Sequence, residues 1–203
     1  MLTFQYTVQK CKKMTFNFSK SLSDERRQQI LDATEQNVIH KGFHKTSMQA
    51  IAKSAKLSVG QIYRYFNDKD DIICALVEQT TKRHLSFMSE FLNKENWLTR
   101  HFSEDNEEIH CIRIMTLEIK AEASRNATIS KICKEMNQRL RLRATDIIME
   151  KSPSLSKAEA VARVEALSIL AEGMLSEWDY TTRPFTQETI KLYNTLLDSI
   201  LPD

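Results

Sequence analysis

Between Lys45 and Lys69 the sequence concentrates side chains suited to a polyanion and to the edges of bases. Hydroxyls stand at Thr46 and Ser58, an amide at Gln61, phenols at Tyr63 and Tyr65, and cations at Lys45, Lys56, Arg64 and Lys69. Their spacing is that of helix starts. Thr46 with Gln49, and Ser58 with Gln61, fit the capping box, in which a hydroxyl accepts from the third backbone N–H while the Gln side chain reaches back. Asn67 with Asp70 is a weaker version. These patterns predict helices beginning near residues 47, 59 and 68. Met48, Ile51, Ala52 and Ala55 share one face of the first helix, Lys56-Leu57-Ser58 makes a turn, and Ile62 and Phe66 set the buried face of the second. Helix, short turn and short helix is the helix-turn-helix layout, whose second helix, here Val59–Tyr65, enters the DNA major groove. There Gln61 can pair bidentately with adenine, Val59 and the Tyr63 ring can meet a thymine methyl, and Gly60 permits close approach. Gln61 has a competing role as a cap, and Tyr63 and Tyr65 a competing role as packing aromatics.

The elements that must position these residues read as helices throughout. Three glycines occur in 203 residues, where average usage would give roughly fourteen. That shortage disfavours tight-turned sheets, and no two glycines lie close enough for a phosphate loop. Ser23 is placed to cap a first helix carrying Ile30, Leu31, Thr34 and Val38, closed by Lys41 and Gly42. After the helix-turn-helix, amphipathic stretches span 68–92, 107–124, 127–151, 157–180 and 187–200. Ser156 with Glu159 makes another capping box, and Pro184 breaks the chain before the last helix. Residues 93–106, with Trp97 and Phe102, form a linker or short helix. The expected fold is all-α with about nine helices: a flexible basic arm (1–20), a three-helix helix-turn-helix domain (21–70), and a helical ligand-binding and dimerisation domain (71–203). Met14 is an alternative start to Met1.

Charge divides along the same line. Residues 1–69 hold twelve Lys and Arg against five Asp and Glu, a net of +7, whereas the remainder nets −5. A basic front suits DNA. Arm lysines Lys10, Lys12, Lys13 and Lys20 would add groove or backbone contacts, or simply form a solvated tail. The four cysteines are scattered, no stretch is apolar enough to span a membrane, and no secretory pattern opens the chain. The expectation is a reduced cytoplasmic protein with no membrane partner. No catalytic or metal-ligating constellation is visible, so neither an enzyme nor a cofactor is expected.

The residues Gly42-Phe43, Thr46-Ser47-Met48, Ile51-Ala52, Ser58-Val59-Gly60 and Ile62-Tyr63-Arg64-Tyr65-Phe66 with Lys69 resemble the DNA-binding domain of TetR-family transcriptional regulators. The likeness covers residues 26–77, about a quarter of the chain. One departure is Lys56, where the family often has Gly. The resemblance implies that Thr46, Ser58, Tyr65 and Lys69 hold phosphates, which suits hydroxyls and helix N-termini as anion sites. It also implies a repressor that binds a palindromic operator as a homodimer and is released by an unidentified small-molecule effector.

In the C-terminal part, Met88, Phe91, Met115, Glu118, Glu122, Met136 and Leu140 are the expected pocket lining. Met walls adapt to varied ligands, and a buried carboxylate would favour a cation. The bland alternative is that the Met residues are core and the Glu residues face water. The dimer face is expected from Val161, Val164, Leu167, Ser168, Ala171, Leu175 and Trp178 with Ile190, Tyr193, Leu197 and Ile200. Two other functions stay open: a DNA-binding dimer without a small-molecule ligand, and a helical ligand-binding protein with a vestigial helix-turn-helix.

Overall fold

The structure, a computed structural model, describes residues 22–86, 88–93, 107–176 and 186–201. The arm, Trp97, Phe102, Trp178, Pro184 and the side chains of Phe91 and Leu175 lie outside the described residues. Every regular element among the described residues is helical. In chain order these are α1 (Leu22–Lys45), α2 (Met48–Ala55), α3 (Val59–Ile62), α4 (Lys69–Ser86), α5 (Met88–Phe91), α6 (Glu107–Ala123), α7 (Ala127–Lys151), α8 (Lys157–Ser176) and α9 (Gln187–Ile200). None of them is long and apolar enough to cross a membrane. Two compact units form: Met1–Glu78, described from Leu22 on, with His110–Ile132; and Gln79–Ile109 with Cys133–Asp203.

In the first unit the expected stripe of α1 is buried, with Ile30, Leu31, Thr34 and Val38 all shielded and joined by Ala33, Asn37 and Phe43. Buried polar groups need partners. Thr34 Oγ1 donates to the Ile30 carbonyl, and Asn37 Nδ2 donates to the Ala33 carbonyl and to Ser54 Oγ, joining α1 to α2. The helix is already formed at Leu22, so Ser23 lies inside it and is not its cap. Gly42 does break α1, at φ 76° and ψ 165°, but helical bonding resumes as far as Lys45.

The caps follow the expected logic with two one-residue shifts. α2 is capped by Ser47, whose Oγ accepts from the Ala50 N–H, in place of the expected Thr46. Thr46 is spent in the preceding turn: its N–H bonds the Phe43 carbonyl and its hydroxyl the Gly42 carbonyl. At α4 the capping side chain is that of Asp68, one residue after the expected Asn67, and the residue that reaches back is Asp71, not Asp70. Asp68 Oδ1 accepts from the Asp71 N–H, and Asp71 Oδ2 accepts from the Asn67 N–H. Ser58 with Gln61, and Ser156 with Glu159, form the boxes expected of them. The Ser156 hydroxyl and N–H hold the Glu159 carboxyl below its ordinary pKa.

Between α2 and α3, Lys56 is left-handed at φ 55° and ψ 41°. The Leu57 N–H reaches the Ala52 carbonyl and the Lys56 N–H the Lys53 carbonyl. This is a Schellman closure, usually made with Gly because a Cβ crowds the following carbonyl. Lys56→Gly is therefore expected to stabilise the protein by about 1 kcal/mol, a rise of roughly 2–4 °C in Tm, readable by thermal denaturation. An unchanged or lower Tm would show that Lys56 is not strained.

In the second unit Leu92, Ile147, Ile148, Ala160, Val164, Leu167, Met174, Leu197 and Leu201 make one buried cluster, with Met88, Ala171, Tyr193 and Ile200 packed at its margin. Burial pushes the Cys133 thiol up, so it stays protonated. It is a free thiol.

Candidate nucleic-acid interface

α3 is a single regular turn, continued by the tighter bonds Arg64 N–H to Gln61 carbonyl and Tyr65 N–H to Ile62 carbonyl. So short a helix has little stability of its own. It is seated by Ile62 and Phe66, 0% and 1% exposed. α1 then holds the chain on both sides of α3. Arg27 lies 4.2 Å over the Phe66 ring and donates to the Tyr65 carbonyl at 2.8 Å, while Gln29 Nε2 donates to the Ala55 carbonyl at 2.6 Å. These two long side chains were missed by the sequence reading. Their polar ends reach backbone carbonyls at the end of α2 and in the turn after α3, partners that helical periodicity cannot point to.

With Ile62 and Phe66 turned inward, the opposite face carries Ser58, Gly60, Gln61, Tyr63 and Arg64, all exposed, with Val59 and Tyr65 half-buried beside them. Tyr63 is 53% exposed. A large aromatic held there on a rigid base is available to an outside partner at small cost to the fold. Gln61 is occupied as a cap: its Oε1 accepts from the Ser58 N–H at 2.8 Å, and its own N–H donates to Ser58 Oγ at 3.2 Å. Bidentate pairing with adenine needs both ends of the amide, so that oxygen must serve the cap and the base together or leave the cap.

The expected phosphate residues divide into two groups. Ser58 is exposed at the start of α3, and Lys45 and Lys56 are exposed near the two ends of α2. Thr46 is 1% exposed, with its hydroxyl used internally; Ser47, one residue on, is the exposed hydroxyl at a helix start. Thr46 with Gln49 fits the capping pattern in sequence, but the hydroxyl that caps α2 is that of Ser47. Lys69 is half-buried and donates to the Phe43 carbonyl at 3.0 Å. An ammonium carries three N–H donors, so this bond positions Lys69 without using it up.

The residues expected to line a pocket fall in both units, and each is placed within its own. In the first, Met115 is buried, Glu118 Oε2 accepts from the Phe43 N–H at 2.9 Å, and Glu122 pairs with Arg125 at 3.0 Å. In the second, Met88 and Leu140 are half-buried and Met136 is buried. Of the expected dimer residues, Val164, Leu167 and Leu197 are 4%, 8% and 0% exposed within the single chain and have almost no surface left to give a partner. Ser168, Ala171, Ile190, Tyr193 and Ile200 are half-buried. Among the described residues, the large apolar side chains that face outward on α8 and α9 are Val161, Ile169, Leu192 and Leu196.

A capped turn of helix seated on a hydrophobic base, preceded by a helix and a tight turn, defines a helix-turn-helix DNA-binding domain on a chain whose described elements are all helices. The family model for bacterial regulatory proteins of the tetR family matches residues 30–76. Residues 30–76 thus carry the DNA-binding domain of a tetR-family regulatory protein. The chain is 46% identical over 52 residues to the HTH-type transcriptional regulator HbdR of Aromatoleum sp. (strain CIB), covering 26% of this chain and 23% of that one. It is 30% identical over 111 residues to the HTH-type transcriptional regulator UidR of Escherichia coli (strain K12), covering 53% and 57%. The chain thus spans between about a quarter and just over half of these curated relatives. The fold is similar to that of Salmonella enterica GusR, with a TM-score of 0.70 at 20% identity, over 87% of this chain and 95% of that one.

Proposed function

We propose that this chain is a transcriptional repressor, not an enzyme, that acts in the cytoplasm and binds a palindromic DNA operator as a homodimer. The observation that carries the reading is the exposed row Ser58, Gly60, Gln61, Tyr63 and Arg64 on a turn of helix whose other face is fixed by Ile62 and Phe66. Two copies of this unit, related by a two-fold axis, would read two half-sites in successive major grooves. The apolar residues left outside on α8 and α9, Val161, Ile169, Leu192 and Leu196, are the proposed dimer contact. An exposed apolar face on helices is otherwise a liability in water. Release by a small molecule is carried by family resemblance. It would act by favouring a dimer state whose two reading units no longer match the operator.

A second reading, a DNA-binding dimer with no small-molecule ligand, is favoured by one observation. Glu118 and Glu122, the carboxylates that would receive a cationic ligand, are both engaged within the chain. An effector screen by thermal shift separates the two readings.

The test of DNA reading is Tyr63→Ala in the full chain, against a duplex that the wild type enriches from a random library. Affinity is expected to fall about tenfold, the worth of one good base contact, with stability unchanged within about 0.5 kcal/mol, as for other exposed positions. Equal binding by the variant in a gel shift removes Tyr63 from the interface.

A further inference from the structure

Glu118 stands on α6, yet its Oε2 accepts the N–H of Phe43, 75 residues earlier in the chain. The absence of a side chain at Gly42 makes room for it: an added Cβ there would stand 3.0 Å from both carboxylate oxygens. The turn so held is the one from which α2 starts. Its Phe43 carbonyl accepts from the Thr46 N–H at 3.1 Å and from Lys69 Nζ at 3.0 Å, and its Gly42 carbonyl accepts from the Thr46 hydroxyl at 2.8 Å. One short turn is therefore fixed by its own Thr46, by α4 through Lys69 and by α6 through Glu118. A second tie lies alongside. Asn126 caps α7 through Oδ1, which accepts from the Thr128 and Ile129 N–H groups, and its Nδ2 donates to Asp70 Oδ2 at 2.6 Å.

We infer that Glu118 is a positioning residue for DNA binding: its carboxylate latches the Gly42–Phe43 turn and thereby sets the orientation of α2 and of the reading turn α3. This rests on the proposed reading of α3 as the DNA-contacting element. It differs from the ligand-pocket role expected of Glu118, because the carboxylate faces backbone within the first unit. The sign of one effect decides between the latch and an ordinary surface acid. An acid near a DNA-binding face repels phosphate, so its removal strengthens binding. Removal of a latch weakens it.

The experiment compares wild type, Glu118→Ala and Glu118→Gln as full chains, using the duplex enriched by the wild type from a random library. Glu118→Ala is expected to bind about tenfold more weakly, the scale of one lost hydrogen bond to a charged group. The slope of log affinity against log salt should stay the same, because no phosphate contact is removed. Glu118→Gln keeps an acceptor oxygen of the same reach and should stay within about threefold of wild type. Hydrogen exchange at the Phe43 amide reads the latch without DNA: about tenfold faster in the Ala variant, near wild type in the Gln variant. A wild type that enriches no duplex overturns the functional reading, and the Phe43 exchange then judges the latch alone. If the Ala variant does not fold, Glu118→Asp replaces it, with its charge kept and its reach shortened by one methylene, and the same losses are expected. Tighter or unchanged DNA binding, unchanged Phe43 exchange, or equal loss in the Ala and Gln variants each overturns the inference.

Discussion

A chain carrying Asp at both Leu192 and Leu196 is expected to be a folded monomer that has lost its hold on a two-half-site duplex. Leu192 is 62% and Leu196 40% exposed, and the two lie one turn apart on α9. Within one chain Leu192 is mostly exposed and Leu196 partly covered, so the two replacements together should cost about 1–2 kcal/mol, small enough to leave the chain folded. In a dimer the same positions would be forced to bury unpaired carboxylates, at several kcal/mol each. Monomerisation then removes the gain from joining two weak readers, which is commonly 10²-fold or more. Light scattering after size exclusion reads the first effect and a gel shift the second. A variant that remains dimeric would place the interface elsewhere. The contrast with Leu197 is instructive, because Leu197→Asp should unfold the second unit: that side chain is 0% exposed and sits in its core.

Gly42→Ala should be strongly damaging to the DNA-binding unit, although it adds only one methyl group. Gly42 combines φ 76° with ψ 165°, a region held almost only by Gly and costing other residues about 1–3 kcal/mol. The new methyl would also press on the Glu118 carboxylate, 3.0 Å away. The combined loss should be about 3 kcal/mol, a fall of roughly 6–12 °C in Tm, with DNA affinity reduced as the turn shifts. Thermal and denaturant unfolding measure it. A loss below about 0.5 kcal/mol, the range of a featureless surface site, would mean that the turn in solution lacks this conformation.

Much of the scaffold was legible because it is local. The Ser58–Gln61 box, the Ser156–Glu159 box and the Ile62/Phe66 face depend on residues three or four apart, and α7 and α9 span the residues expected of them. Where two adjacent residues could do one job, local pattern chose badly. Thr46 and Ser47 both offer a hydroxyl, and only the demand of the Gly42–Phe43 turn for Thr46 leaves Ser47 as the cap. α8 shows the same limit on a larger scale. Val161 and Ile169, like Val164 and Leu167, are apolar residues on one helix, and periodicity does not say which pair packs inside the protomer. The role of Glu118 was out of reach altogether, because its partner is a backbone N–H 75 residues away that leaves no side-chain signature.

The central claim, that α3 reads DNA, is tested most directly by enrichment of a random duplex library on the full chain, followed by a salt titration of the winning sequence. The account predicts a palindromic winner whose affinity falls about 10³-fold or more between roughly 50 and 200 mM salt, as phosphate contacts release counterions, and whose binding is weakened by Tyr63→Ala. A library that yields no common sequence, or a winner whose binding ignores both salt and Tyr63, would contradict it.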